Sequence, residues 1–452
     1  MACGDVGIAA RPTSRMWLRT ESKADALVGI PRFGLRDSGL GGVGAHHGVV
    51  TSVSTAAVPA EVGDACGAVD PGVGLGLYLH VPFCASRCGY CDFNTYTAGE
   101  LGSSASPDSW FEAVGRELDH AAALMTPARP VSTIFVGGGT PSLLGGDGLA
   151  GLLDAVRSRF DLTDDAEITT ESNPESTSPE FFARLLEAGF TRISLGMQSA
   201  APHVLTTLDR THTPGRAVAA AREAAAAGFA HINLDLIYGT PGETDADLDA
   251  SLDAVLATPV DHVSAYALIV EDGTALARRI RRGELPAPDD DVLASRYQRI
   301  DERLGDNGFE WYEVSNWARS AAAECRHNLS YWYSHDWWGI GPGAHSHVHG
   351  VRWSNVKHPA RYASTLADGT LPVATHEVLT TADRHVESVM LTARCRSGLR
   401  RELLSGAEVS CAEELVAREL LRPTGDAWVL TDRGRLLADA VVRDILIAGE
   451  DG

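Results

Sequence analysis

From residue 75 onward, short runs rich in β-branched residues alternate regularly with longer segments of helical pattern. Six such runs are present, at 75–81, 132–138, 166–172, 191–197, 231–239 and 261–268. Strands that alternate with helices form a mostly parallel sheet, because each helix returns the chain to the same edge. The pattern predicts an α/β protein with either an open doubly wound sheet or a partial barrel, and periodicity alone does not separate the two.

The segments between these runs carry helix start and stop signals. Helices are predicted at roughly 109–125, 148–160, 179–188, 202–209, 214–227 and 245–257. Ser178 and Thr213 each precede a proline and are predicted N-caps, with the proline in the first turn of the helix. Gly189 and Gly228 stand where left-handed C-caps are expected. These regularly placed start and stop signals support six strand–helix units.

Three cysteines follow the first strand closely, at positions 84, 88 and 91 of LYLHVPFCASRCGYCDF. Three thiolates can hold an iron–sulfur cluster and leave one iron open, or they can form a Cys3His zinc site with His80. The other five cysteines are scattered, at 3, 66, 325, 395 and 411. This distribution is not that of a disulfide framework and is typical of metal binding or catalysis in a reducing compartment, so we expect a cytoplasmic protein.

The later strands also end in unusual residues. The second ends in GGGTP (137–141), the third in ESNPE (171–175) and the fourth in GMQ (196–198), while the fifth carries Asp235 and ends in YGTPG (238–242). Each motif taken singly has an ordinary structural explanation, such as a tight turn or a helix cap. Because the carboxyl ends of parallel strands meet at one edge, five successive motifs favour a ligand site there.

Composition restricts the partners of this chain. Its 452 residues, 44% of them hydrophobic, are enough for a large core and two or more domains. The 60 acidic and 38 basic residues give a net charge of −22, which disfavours nucleic acid. The basic stretch RRIRRG at 278–283 is predicted to be a solvated helix end. No uninterrupted apolar run of about 18 residues occurs, so no transmembrane helix is predicted.

The spacing CxxxCxxC at the end of the first strand, followed by GGGTP, is similar to the radical S-adenosylmethionine superfamily. The finer pattern resembles its coproporphyrinogen III dehydrogenase-like branch, which contains HemN-type enzymes and HemW-type heme chaperones, and covers about residues 75–445. The resemblance implies a partial (βα)6 TIM-like barrel with a C-terminal, mostly helical, winged-helix-like domain. It also implies a [4Fe-4S] cluster and S-adenosylmethionine.

Position by position, the resemblance assigns the residues of this site. The implied cluster ligands are Cys84, Cys88 and Cys91. The implied contacts to S-adenosylmethionine are Tyr78, Tyr90, Gly138, Gly139, Thr140, Glu171, Gln198, Arg210, Asp235 and Ala267. Gln198, Arg210 and Asp235 resemble contacts to a second S-adenosylmethionine in the HemN enzyme, and whether this chain binds one or two is left open.

Two local features distinguish the branches. HemN-type enzymes carry a fourth cysteine two residues after the third ligand, and Phe93 stands at that position here. HNLSYW, at 327–332, matches the HNxxYW pattern of HemW-type chaperones. Both features predict heme binding and delivery to an acceptor hemoprotein. The alternative is an oxygen-independent coproporphyrinogen III dehydrogenase of porphyrin biosynthesis, so whether the chain is an enzyme stays open.

A histidine followed by aromatic residues suits a heme site. His327 is the expected axial ligand, and aromatic side chains line flat porphyrins well. The expected heme contacts are His327, Asn328, Tyr331 and Trp332, within an aromatic stretch that includes Tyr333, Trp337 and Trp338. A buried histidine in an aromatic core is the alternative. Competing iron ligands are Cys325, His335 and His345.

The chain is predicted to divide into four regions. Residues 1–72 are expected to be a disordered or mis-assigned extension, 73–315 the barrel, 316–372 the heme-motif and connecting region, and 373–452 the C-terminal domain. That domain is expected to contain helices at 381–393 and 411–421, a strand at 427–430 and a closing helix. Because it has no clear basic face, a lid or scaffolding role is favoured over DNA binding. The expected partners are heme, the acceptor hemoprotein, an electron donor for the cluster and, in a homodimer, a second copy of the chain.

Overall fold

The computed structural model describes residues 51–52, 58–68, 74–210 and 213–450. Its strands are β1 (Thr51–Ser52), β2 (Leu75–Val81), β3 (Phe83–Cys84), β4 (Tyr96–Thr97), β5 (Val131–Gly138), β6 (Leu162–Ser172), β7 (Arg192–Gln198), β8 (His231–Tyr238), β9 (His262–Ala267), β10 (Glu310–Glu313), β11 (Asn316–Ala318), β12 (Trp337–Ile340), β13 (His345–Val348), β14 (Val351–Asn355), β15 (Val373–Val378), β16 (Leu399–Arg400), β17 (Leu421–Thr424) and β18 (Ala427–Leu430). Its α-helices are α1 (Ala60–Gly67), α2 (Ala98–Leu101), α3 (Pro107–Leu124), α4 (Gly145–Arg157), α5 (Pro179–Ala188), α6 (Pro202–Thr207), α7 (Arg216–Ala227), α8 (Asp245–Leu256), α9 (Ala275–Arg281), α10 (Asp290–Gly305), α11 (Arg326–Trp332), α12 (Pro359–Ala367), α13 (Thr381–Thr392), α14 (Gly406–Ala417), α15 (Asp432–Leu436) and α16 (Ala438–Glu450).

The six predicted strands are β2, β5, β6, β7, β8 and β9, and they pair in parallel in that order. At least one helix separates each strand from the next, so the predicted partial barrel is confirmed. A further parallel strand, β12, pairs with β2. The sheet continues with antiparallel strands on both sides, through β13, β14, β15 and β1 beyond β12, and through β11 and β10 beyond β9.

Side chains alternate between the two faces of each barrel strand. On β7, Ile193 and Leu195 are buried in the main hydrophobic core against the surrounding helices. Ser194, between them, points inward and donates a hydrogen bond to Asp235 on β8 (3.1 Å). The outer face therefore supplies the apolar core, whereas the barrel interior is lined by polar groups that need partners of their own.

Helix α11 fills the amino-terminal end of the barrel, which we call the closed end. The Glu167 carboxylate on β6 accepts hydrogen bonds from the backbone N–H groups of Arg326 (3.0 Å) and His327 (2.9 Å). The His327 ring lies against Phe135 on β5, with ring centroids 5.3 Å apart. A carboxylate at the first turn satisfies N–H groups that a helix leaves unpaired, so this short helix is held inside the barrel.

The C-terminal helices and the small antiparallel sheet β16–β18–β17 enclose a second hydrophobic core. Trp332 of α11 packs against this core, and Arg435 forms an ion pair with Asp301 of α10. These contacts place the domain beside the closed end. A scaffolding role at the closed end is consistent with this position.

Several local expectations need correction. The helix expected to begin after an N-cap at Thr213 begins at Arg216, because the backbone N–H and hydroxyl of Thr213 are bonded to Glu175. The helix expected at 411–421 begins at Gly406, after the N-cap Ser405. The expected caps at Ser178, Gly189 and Gly228 are confirmed.

The N-terminal extension is also partly ordered. Helix α1 buries Val62, Ala65 and Cys66 in the main core, so the expectation of disorder is wrong for residues 60–67. The remaining part of that expectation, apart from residues 51–52 and 58–68, lies outside the described residues.

Two tryptophans expected to shelter a ligand belong to the core instead. Trp337 and Trp338 are the first two residues of strand β12 and are 2% and 0% exposed. Trp337 packs edge-on against Tyr331, and Trp338 packs edge-on against Trp353. Large apolar residues suit both a buried parallel strand and the wall of an aromatic pocket, so the sequence of this stretch does not distinguish the two.

Leu195→Ala is expected to lower the free energy of unfolding by about 2–5 kcal/mol, because it removes apolar volume from a fully buried position on the central strand β7. Urea unfolding followed by circular dichroism measures the change. Leu143→Ala, at a site where the side chain is 43% exposed, is the matched control and should change stability by no more than about 0.5 kcal/mol. Equal losses in the two variants would contradict this assignment of the core.

Candidate cluster and cofactor site

The carboxyl ends of β2 and β5–β9 surround one pocket, which we call the mouth of the barrel. Most of the residues expected to hold the cluster and the cofactor line it: Cys84, Cys88, Cys91, Tyr90, Gly138, Gly139, Thr140, Glu171, Gln198, Arg210 and Asp235. Tyr78 and Ala267 do not line this pocket. The fold therefore brings residues from six strand ends and their following loops to one place.

The cysteine loop, residues 84–91, is held by hydrogen bonds of its backbone. The Gly89 N–H donates to the Leu208 carbonyl (3.1 Å), and the Cys91 N–H donates to the Cys88 carbonyl (3.2 Å). The loop starts in the short parallel pair β3–β4. No disulfide forms among the cysteines in the described part of the chain. Three thiols lining one mouth are the donor set that a [4Fe-4S] cluster with one open iron requires.

Two of the sulfurs accept hydrogen bonds from neighbouring side chains. The Thr140 hydroxyl donates to Cys84 Sγ (3.7 Å), and Arg210 Nη1 donates to Cys88 Sγ (3.3 Å). Burial raises the pKa of Cys84, and the hydroxyls of Thr140 and Thr95 act against that rise. Donors placed beside sulfur favour the thiolate, which is the form that binds metal.

His80 is committed to protein partners rather than to the cysteines. Its Nε2 is bonded to the Asn94 carbonyl (2.9 Å), and its Nδ1 is bonded to the Tyr78 hydroxyl (3.0 Å). Burial lowers the pKa of His80 to about 4, so the ring is neutral at neutral pH. Because both ring nitrogens are in use, the Cys3His zinc alternative lacks its histidine in this conformation.

The glycines after β5 allow close packing of the protein with itself. Gly138 has a φ of +106°, and a Cβ there would lie 2.5 Å from the His80 ring. A Cβ at Gly139 would lie 2.5 Å from the Phe83 carbonyl oxygen, and the Gly139 N–H donates to the Val81 carbonyl (2.7 Å). These glycines therefore let the end of β5 approach the start of the cysteine loop. This close packing explains the glycines more directly than the approach of a ligand does.

Two carboxylates from neighbouring strands face the interior at the mouth. Glu171 accepts a hydrogen bond from the Gly138 N–H (3.1 Å), and burial together with Asp235 raises the pKa of Glu171 to about 8. Asp235 accepts hydrogen bonds from Asn233 (2.7 Å) and Ser194 (3.1 Å). Bringing an ammonium group to Glu171 would favour its charged form, so the site suits a ligand that carries one.

Some polar atoms that line the pocket are left for a ligand. Ser172 Oγ and Arg210 Nε are buried and have no hydrogen-bond partner among the described residues. Gln198, beside them, has a φ of +67° at a register irregularity of β7. Buried polar groups are normally paired, and strained backbone collects at binding sites. The residues present therefore fit a polar ligand with the chemistry of S-adenosylmethionine.

The expected residues that lie outside the pocket lining have clear local roles. The Tyr78 ring stacks on Phe135, and its hydroxyl is bonded to His80. Ala267 stands at the end of β9, where its neighbour Tyr266 lines the pocket instead. Ser194 and Tyr266 were not expected from the sequence, and Ser172 was named there only as part of the ESNPE motif. Strand alternation is the signal that would have found Ser194, which precedes Gly196 and Gln198 on the inward face.

The HNLSYW residues are not brought into the mouth. His327 is 0% exposed at the closed end, where its Nδ1 is bonded to Thr133 (2.8 Å) and its Nε2 to the Tyr331 hydroxyl (2.7 Å). Burial lowers the pKa of His327 to about 3. Trp332 packs toward the C-terminal core, and Asn328 is on the same helix. The motif and the cysteine loop therefore lie at opposite ends of one barrel.

The competing iron ligands are also separate from the mouth. The Cys325 thiol is buried beside Glu167 (3.5 Å), at the closed end. His335 is near Tyr333, and His345 begins strand β13. The glycine-rich loop at 339–348, which contains His345, lies near the cysteine loop, because Asn94 donates to the Pro342 carbonyl (2.9 Å).

Residues 78–255 match the model of the radical SAM superfamily. The chain is 62% identical to a Mycobacterium tuberculosis (strain CDC 1551 / Oshkosh) protein named heme chaperone HemW, over 83% of this chain and 96% of that protein. The chain belongs to the HemW family. It is also 33% identical to the heme chaperone HemW of Escherichia coli (strain K12), over 81% of this chain and 97% of that protein. Membership of the radical SAM superfamily implies a [4Fe-4S] cluster and S-adenosylmethionine.

Among solved structures, coproporphyrinogen III oxidase HemN from Escherichia coli resembles this fold with a TM-score of 0.72. The two chains are 24% identical, and the match covers 86% of this chain and 93% of HemN. At this identity the likeness shows the shared barrel architecture alone. Within the described residues, we find no helix with the length and apolar character needed to cross a membrane.

Cys88→Ser is expected to lower the iron and sulfide content of anaerobically reconstituted protein by about tenfold or more, because it removes one of the three expected thiolate ligands. Chemical iron and sulfide analysis measures the loss. Cys411→Ser changes a thiol in the C-terminal domain, far from the mouth, and is the matched control with unchanged content. Full iron content in the Cys88 variant would contradict the assignment.

Glu171→Gln is expected to alter the pH dependence of folding stability. The native Glu171 keeps its proton to about pH 8, whereas the unfolded chain releases it near pH 4.5. Over this window the folded parent binds more protons, so its stability falls as pH rises, by at most about 1.4 kcal/mol per pH unit for this group. The glutamine variant lacks this titrating group, so its stability relative to the parent should rise between about pH 5 and 8.

Urea unfolding at a series of pH values measures the difference between the two proteins. Other buried carboxyl groups titrate in both, so the difference isolates Glu171 and its interaction with Asp235. Parallel stability curves over this range would show that the carboxylate is not buried as the structure describes.

Proposed function

We propose that this protein is a heme chaperone, which binds heme and transfers it to an acceptor hemoprotein. The observation that carries the proposal is the 62% identity to the Mycobacterium tuberculosis protein of that name. The similarity extends over 96% of that relative, beyond the radical SAM part that a large superfamily shares. We propose that residues 73–315 bind the cofactors, that 316–372 contain the heme motif and that 373–452 support the other two regions.

In this proposal, Cys84, Cys88 and Cys91 hold the [4Fe-4S] cluster, and the polar residues of the mouth hold S-adenosylmethionine. When bound, this pair supplies one-electron chemistry. Glu171 offers a carboxylate to an ammonium group, and Arg210 Nε offers a buried N–H donor. An external electron donor for the cluster and a homodimeric state complete the proposed assembly.

Phe93 supports the chaperone over the decarboxylase. The resemblance to HemN-type enzymes places a fourth cysteine at this position, whereas here an apolar ring lines the mouth beside the three sulfurs. A phenyl ring has no thiol for ligation or for redox chemistry. The structural likeness to HemN concerns the fold, so it adds no support for decarboxylation.

For heme itself, we propose the HNLSYW segment, with His327 as axial ligand and Asn328, Tyr331 and Trp332 as further contacts. Both His327 ring nitrogens are bonded inside the barrel, so ligation requires α11 to leave the closed end. Helix α11 has seven residues, and a helix of that length has little stability of its own. Heme contacts would then replace its bonds to Thr133 and Glu167.

Anaerobic titration of the cluster-loaded protein with heme tests the proposal through the Soret absorption. The parent should bind heme stoichiometrically, and His327→Ala should weaken binding by about tenfold or more, because an axial ligand is lost. His203→Ala is the matched control, since His203 is exposed on α6 and pairs with Asp247. It should leave heme affinity unchanged.

A parallel incubation with S-adenosylmethionine, a reductant and coproporphyrinogen III tests the alternative function. The chaperone proposal expects no decarboxylated product. Product formation, with heme binding absent or indifferent to His327, would identify a porphyrin-pathway enzyme and leave HNLSYW as part of the core. Stoichiometric heme binding that is unchanged in His327→Ala would retain the chaperone and move the ligand elsewhere.

A further inference from the structure

Arg210 occupies a position that its expected contact to S-adenosylmethionine does not explain. The residue follows α6, and its Nη1 lies 3.3 Å from Cys88 Sγ, an expected ligand of the cluster. Its Nη2 donates to the Gly196 carbonyl (3.3 Å) on β7. The guanidinium is therefore held between a strand of the barrel and the cysteine loop.

The barrel strand is shaped to admit this guanidinium. A Cβ at Gly196 would lie 2.7 Å from Arg210 Nη2, so any larger residue would displace the group. The neighbouring turn holds the same loop from outside, because the Gly89 N–H donates to the Leu208 carbonyl (3.1 Å). Two independent contacts, one from backbone and one from a charged side chain, thus fix the middle of the cysteine loop.

We propose that Arg210 is a positioning residue for the iron–sulfur cluster, which donates a charge-assisted hydrogen bond to the Cys88 sulfur and raises the reduction potential of the cluster. A cluster becomes more negative when it is reduced, and a fixed positive charge with an N–H donor at a ligand sulfur stabilises that reduced form. The barrel interior weakens the screening of this charge by water. This inference rests on the cluster proposed above and assigns to Arg210 a role that does not need S-adenosylmethionine.

Arg210→Met removes both the charge and the donors while keeping an unbranched side chain. Its cluster should show a lower midpoint potential than the parent cluster in a redox titration followed by electron paramagnetic resonance, without S-adenosylmethionine. Arg210→Lys keeps the charge but not the fork of donors, and its potential should fall between the two. Iron and sulfide content, measured on the same samples, reports whether a cluster is present.

Arg279→Met is the matched control. Arg279 donates to the Thr207 carbonyl (3.3 Å) at the end of α6, so it supports the same turn without touching sulfur. Its substitution should leave the potential at the parent value. A shift of equal size in this variant would show that the turn, rather than the charge, sets the potential.

The other outcomes also decide the proposal. A parent potential in fully loaded Arg210→Met overturns it, as does a shift that appears only when S-adenosylmethionine is added, since Arg210 would then act through that ligand. Where Arg210→Met takes up no cluster, Arg210→Lys decides, and a parent potential in that variant overturns the proposal. Absence of iron from the parent itself would instead refute the proposed cluster.

Discussion

The hydrogen bonds that Glu167 makes across the closed end are the constraint on which the barrel depends. A parallel barrel with a polar interior must satisfy those groups from within, and α11 covers the amino end of this one. Glu167 binds two N–H groups of the helix and the Cys325 thiol. Leaving such a carboxylate buried without these donors would cost several kcal/mol, at the order of magnitude known for buried charges. The same hydrogen bonds therefore close this end of the barrel and hold α11 in place.

The interior polar groups continue this arrangement from one end of the barrel to the other. Asp235 at the mouth is bonded to Asn233, whose side-chain oxygen is bonded to His262 (2.7 Å). The other nitrogen of His262 is bonded to the Tyr312 hydroxyl (2.7 Å), which in turn accepts from the Cys325 N–H (3.2 Å). Burial and Arg192 lower the pKa of His262, so this ring is neutral and can donate from one side while accepting on the other. The orientation of the carboxylate at the mouth is therefore supported from the closed end.

The features recoverable from sequence are those that follow from local period and from strand ends. The alternation of strand and helix patterns predicted β2 and β5–β9. The polar residues near the carboxyl ends of these strands then indicated Glu171 and Asp235 as site residues. Strand β12, which begins with two tryptophans, was not recoverable, because its pairing with β2 is set by residues far away in the chain. The same limit applies to His327: a histidine with aromatic neighbours has one composition whether it faces a ligand or a barrel interior, and only packing decides.

The contacts of the cysteine loop have a consequence for how a metal centre can be built in it. Asn94, just after the loop, donates to the carbonyls of both Pro342 (2.9 Å) and Lys357 (2.8 Å), and Leu208 holds its middle. Fixing a free backbone costs about 1–2 kcal/mol per residue. The contacts of Asn94 and Leu208 supply part of that ordering, so they reduce the free energy of binding iron that is consumed in folding the loop. Each protein contact that orders the loop also reduces the number of backbone conformations that three cysteines must search before they can meet one metal centre.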